Sequence, residues 1–161
     1  MRSERKETSM KLAEALMERS DLKTRIEQLA DRLSENAKVQ EGDEPSENPV
    51  ELMEEMNRLY ARLERLMTLV NLTNARTLSD GEPLTALLAR RDCLSGRVRT
   101  LRDFLISASG NVTRGTRAEI RVVSTVNVKE YQKRVDDLAR DLRELDVKIQ
   151  SLNWTTELME P

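Results

Sequence analysis

Two arginines stand where leucines are due. Arg19 and Arg91 each fall on an apolar row that steps by three and four residues. A guanidinium on such a row is drawn out of water, which is expensive unless it is paired. Its planar fork of donors suits a carboxylate or phosphate held by two parallel hydrogen bonds. Amide side chains that would assist are expected at similar depth: Asn71, Asn74 and Asn153, with Trp154 beside the last and Asp92 beside Arg91. These seven residues form a candidate anion-binding or polar-core cluster. Two chemistries stay open for it. Internal carboxylates (Glu14, Glu18, Asp80, Asp92 or Glu157) would make a network that fixes helix register. A small external anion would make a ligand site. Asp92 adjoins Arg91 but points away from its row by about 100° of helix rotation. The expected geometry has Arg19 and Arg91 sharing one partner, with Asn71 or Asn74 nearby.

Other chemistry finds little material. The chain has no histidine, so imidazole acid–base catalysis and imidazole metal ligation are absent. Cys93, the single cysteine, has no histidine to activate it and no partner for an intramolecular disulfide. No Gly-rich phosphate loop occurs. Glu54, Glu55, Asp136, Asp137 and Asp141 fall off the apolar rows, as solvated carboxylates do, rather than inward as magnesium ligands would. No catalytic residue, metal site or cofactor is expected.

The elements that position the cluster are four amphipathic helices. The first spans about Lys11 to Glu35 with the row Leu12, Ala15, Arg19, Leu22, Ile26, Leu29, Leu33. The second begins near Pro49, a residue suited to a first helical turn. It carries Leu52, Met56, Leu59, Leu63, Leu66, Val70 and Thr73, flanked by Met53, Tyr60, Met67 and Asn74. Both rows turn polar in their last turns. "SDGEP" is a turn into the third helix, with Leu84, Leu87, Arg91, Leu94, Val98, Leu101, Leu105 and Ala108. Asn127 caps the fourth helix, with Glu130 three residues on. Its row is Val128, Tyr131, Val135, Leu138, Leu142, Leu145, Ile149 and Leu152. "EIRVVSTV" is the one convincing strand, and "AKVQE" is a possible pairing partner. The fold class is all-α: an antiparallel four-helix bundle, each helix about 35–40 Å long, with one or two short β-strands at one end. One bundle domain covers residues 10–161, after a disordered tail over 1–9; Met10 is an alternative start. In this topology the starts of helices one and three meet the ends of helices two and four.

Charged residues make up 35% of the 161 and the net charge is −2, so no global attraction to nucleic acid or anionic membrane arises. Arg90, Arg97, Arg99 and Arg102 read as a solvated helix face. Residues 41–55 are acidic, while Arg114, Arg117 and Arg121 are basic. No apolar run approaches the roughly 18 residues of a membrane span, and no signal-peptide core is present. A cytoplasmic protein is expected.

"MKLAEALMERSDLKTRI", "VQEGDEP", "TNARTLSDGEPLTALLARRD", "TRAEIRVVSTV" and "LRELDVKIQSLNWTTEL" together resemble the septicolysin-like family of small bacterial proteins, across the chain from Met10. The resemblance implies an all-α bundle and a bacterial source, and it transfers no catalytic residue. Pore formation is not expected, since no insertion hairpin or membrane-length segment is present. The functional expectation is a non-enzymatic, self-associating helical-bundle protein, most simply a symmetric homodimer. The alternative is a small-anion-binding protein or enzyme using the Arg/Asn cluster.

Overall fold

A computed structural model of the chain describes residues 9–109 and 123–159. It contains helices α1 (Leu12–Glu35), α2 (Pro49–Arg76), α3 (Leu84–Ser109) and α4 (Val128–Thr155). A small antiparallel sheet, β1 (Leu78–Ser79) and β2 (Glu82–Pro83), lies between α2 and α3. The chain forms two compact units. One comprises residues 1–83 and 151–161, the other residues 84–150. Residues 1–8 of the tail expected over 1–9 lie outside the described residues, as does the basic segment with Arg114, Arg117 and Arg121.

In the first unit α1 packs against α2. Leu12, Ala15, Leu22, Ile26 and Leu29 are buried on α1, and Leu52, Leu59, Leu63, Leu66 and Val70 on α2. These are the positions that a helical period turns to one side. Ion pairs flank this seam at heptad steps. Arg62 grips both oxygens of Glu18, at 2.6 and 2.9 Å. One heptad further along α1, Arg25 stands 3.8 Å from Glu55. A further heptad on, Arg32 donates through Nε to Glu47 at 2.9 Å and through a second nitrogen to the other oxygen. Steps up α1 from Glu18 to Arg25 therefore match steps down α2 from Arg62 to Glu55, and Glu47 in the link before α2 continues the series, in an antiparallel register.

The link between these helices is tied from within. Asn36 donates to the Arg32 carbonyl and accepts from the Glu47 amide, both at 2.9 Å. Asn48 then caps α2 by accepting from Val50 N–H at 3.0 Å, and Pro49 takes the first helical position. Residues 37–41, the possible strand "AKVQE", contain no strand.

β1 and β2 occupy the stretch expected to be an ordinary turn. Leu78 pairs with Pro83 and Ser79 with Glu82. Between them Asp80 and Gly81 have φ of 53° and 83°. Positive φ at both central residues is the signature of the tight hairpin turn whose twist suits antiparallel strands. By contrast, Val123–Val126, the described part of "EIRVVSTV", form no strand, and residues 119–122 lie outside the described residues. β-branched content alone does not make a strand without a ladder to join.

In the second unit, Val98 and Leu105 of α3 form a buried cluster with Val135 and Ala139 of α4. The C-terminal half of α3 thus meets the N-terminal half of α4. Phe104 and Tyr131 touch edge-on, with centroids 6.1 Å apart, and the Arg134 guanidinium lies 4.9 Å from the Tyr131 ring centre. Asn127 caps α4 as expected, its side chain accepting from Glu130 N–H at 3.2 Å.

Candidate functional site

The polar end of the first unit is built by backbone as much as by side chains. Beyond α4 the chain runs back along the start of α1. Leu12 N–H donates to the Thr156 carbonyl at 2.9 Å, and Leu158 N–H to the Met10 carbonyl at 2.8 Å. Lys11 and Glu157 face each other in an antiparallel bridge, and their side chains pair at 3.2 Å. The same segment then reaches the end of α2. Thr73, only 1% exposed, donates to the Leu69 carbonyl at 2.7 Å and accepts from Met159 N–H at 3.0 Å. Arg76 points an N–H at the Met159 sulfur, 3.8 Å away. The start of α1, the end of α2 and residues 156–159 therefore meet in a clasp.

This clasp explains why the α2 row turns polar. Thr73 is an anchor for a returning backbone amide, which a leucine could not hold. Thr77 completes the helix end, its amide and hydroxyl both donating to the Thr73 carbonyl, at 2.9 and 2.8 Å. Glu14 accepts from Lys11 N–H at 2.7 Å and so caps α1. Hydrogen bonds from Lys11 and then Ser9 hold the Glu157 carboxyl below its ordinary range. Arg32 does the same to Glu47, and that pairing raises the Arg32 pKa.

The residues of the expected cluster divide between the two units. Arg19, Asn71, Asn74, Asn153 and Trp154 belong to the first unit; Arg91 and Asp92 belong to the second. Asn153 is buried, at 7% exposure, while its neighbour Trp154 is 56% exposed. Asn74 is half-buried and Asn71 exposed. Arg19 is half-buried and forms no ion pair among the described residues. Arg91 takes the carboxylate next to it: its Nε and Nη2 donate to one Asp92 oxygen at 3.0 and 2.7 Å. Its side chain remains 35% exposed, so it is not the buried charge its place in the row suggests. A long side chain can leave the direction its Cα sets and carry its charge toward water. Of the other expected carboxylate partners, Glu18 takes Arg62 and Glu157 takes Lys11.

Chemically, this end offers amide and hydroxyl groups, one half-buried cation without a counter-charge among the described residues, and an exposed indole. Among the described residues no three carboxylate or thiol groups gather to hold a metal ion. No helix among them is long and apolar enough to cross a membrane.

The chain is similar to a solved structure from Corynebacterium diphtheriae, described as a functionally unknown conserved protein. The two share 39% identity with a TM-score of 0.88, over 94% of this chain and 100% of that one. None of the curated proteins matches. With residues 19–158 matched by the family's model, the chain belongs to the family of unknown function DUF6847.

Proposed function

We propose that the protein is non-enzymatic and works by self-association of its helical surfaces. The observation that carries this reading is the exposure of large apolar side chains on well-formed helices. Met53, Tyr60 and Met67 recur every seven residues on α2, and Phe104, Ile106 and Val147 are exposed on α3 and α4. Single exposed apolar residues are ordinary, but rows of them mark surfaces that another protein surface covers. A cytoplasmic setting and a place among septicolysin-like proteins belong to the same proposal. The free, exposed Cys93 fits a reducing compartment. Native mass spectrometry and light scattering test the reading: the expected mass is a multiple of 18.5 kDa. A monomer across micromolar concentrations overturns it.

A second reading, small-anion binding, draws on Arg19, a half-buried cation in the α1 row with no ion pair among the described residues. Thermal melts with phosphate and small carboxylates test it. Stabilisation that disappears in Arg19→Ala supports binding there; melts unmoved by any of these anions reject it.

A further inference from the structure

We propose that two copies of this chain join by exchanging the clasp, residues 151–159 of each closing on residues 9–83 of the other. This rests on the self-association reading and adds which segment joins the copies.

The bonds of the clasp name its occupant. Leu12 N–H donates to the Thr156 carbonyl, Leu158 N–H to the Met10 carbonyl and Met159 N–H to Thr73, at 2.9, 2.8 and 3.0 Å. Lys11 and Glu157 add a charge pair at 3.2 Å. Each of these joins the start of α1 or the end of α2 to the segment after α4, and none is covalent. A second copy offers the same donors and acceptors in the same order. Its segment therefore fits the site as well as the chain's own does, which is the condition for exchange of an identical element.

The chain is laid out so that the segment can change hosts. It passes between the two units twice, at Pro83–Leu84 and at Gln150–Ser151. α4 is unbroken across the second crossing, so residues 151–155 move with the helix that carries them. The first crossing closes the Leu78–Pro83 hairpin, turned on Asp80 and Gly81. A few residues in a short connection absorb such a change of direction, and short hinges are where exchange begins. Each unit has buried residues of its own, Leu66 and Val70 in one, Val98 and Val135 in the other. Both cores persist when the segment moves.

Closed and exchanged forms hold the same clasp bonds, so those bonds cancel. The balance then falls to surface that only a pair of copies covers. Met53, Tyr60 and Met67 are 44%, 51% and 40% exposed on α2, in the unit that carries the site. Exchange tethers two such rows to one another, which makes covering them an intramolecular step. The clasp selects the partner and the α2 row stabilises the pair.

The test reads which chain closes the clasp. The two backbone bonds flank Lys11 and Glu157, a pairing whose Cα atoms lie about 4.5 Å apart, within reach of a disulfide. Full-length Lys11→Cys with Glu157→Cys, in a Cys93→Ser background, is oxidised and run on a non-reducing gel. Linked dimers are expected; chains closed only on themselves overturn the exchange. Adding Met53→Ser, Tyr60→Ser and Met67→Ser is expected to shift the product toward self-closed chains, and an unshifted product overturns the part given to α2. Circular dichroism checks that helix is retained. If a cysteine variant loses helix, charge decides. Lys11→Glu and Glu157→Lys chains, one isotope-labelled, are refolded together and weighed by native mass spectrometry. Heterodimers in excess of a random mixture are expected, since only they place opposite charges in both clasps; a random mixture overturns the exchange. A wild-type monomer overturns self-association and exchange together, whereas a wild-type oligomer with self-closed clasps overturns exchange alone.

Discussion

Replacing Thr73 by Val removes one hydroxyl from the clasp and almost nothing else. The two side chains have nearly the same shape, so no cavity opens. What is lost is the donor to Leu69 and the acceptor for Met159 N–H. The Leu69 carbonyl lies inside α2, where the helix ladder still supplies a donor, so its loss is small. Met159 is half-buried, and its amide loses its partner. Leaving a buried donor unmade costs about 1–3 kcal/mol, toward the low end here because water reaches the site. The added methyl group at a fully buried position returns roughly 0.8 kcal/mol. The net expectation is about 0.5 kcal/mol of lost stability, or a fall in Tm of about 1–2 °C for a domain of this size. The local signal is sharper. Amide exchange at Met159 and Leu158 is expected to accelerate markedly in Thr73→Val, while Thr73→Ser keeps the hydroxyl and the protection. A Val variant with an unchanged melt and unchanged exchange at those amides would refute the anchoring role of Thr73.

Four further outcomes follow from the described packing. Leu66→Ala, at 1% exposure, should cost about 2–5 kcal/mol in urea unfolding, whereas neighbouring Met67→Ala, at 40%, should cost far less. A double-mutant cycle on Glu18 and Arg62 should give a coupling of about 0.2–1 kcal/mol that shrinks with added salt, since both side chains are partly solvated. Gly81→Ala should lower stability by about 1–2 kcal/mol through its positive φ alone, because an added Cβ meets no neighbour. Glu47 has a lowered folded pKa, so its contribution is fully present above its unfolded value of about 4.3. That contribution is lost as pH falls through the folded value; Glu47→Gln should flatten this part of the urea midpoint against pH, and an unchanged profile would contradict it.

The helices were legible because their signals are local and repeated. The Asn127–Glu130 cap and Pro49 each mark a start that the structure keeps within a residue. The β-hairpin was hidden because strands of two residues are too short to alternate, although Asp80–Gly81 is itself the chemical sign of such a turn. Val123–Val126, the described part of "EIRVVSTV", show the opposite case, strand-like composition without pairing. The clasp was out of reach for another reason. Lys11 and Glu157 lie 146 residues apart and are joined chiefly through backbone, which leaves no side-chain pattern to find. Only the polar turn of α2 hinted at it, and Thr73 was legible as an anomaly but not as an anchor. For Arg91 the row predicts where a Cα faces, not where a flexible guanidinium ends; a neighbouring carboxylate decided that.

The clasp also sets an order of events during synthesis. α1 and α2 can pair as soon as both have been made, but the partners of Leu12, Met10 and Thr73 are Thr156, Leu158 and Met159. The ribosome must first add the whole of residues 84–150, which at about 5–20 residues per second takes several seconds. During that interval one end of the nascent helical hairpin presents an unclosed backbone edge and an unanswered threonine. Slow codons across α3 and α4 would lengthen that interval without altering a single residue of the product.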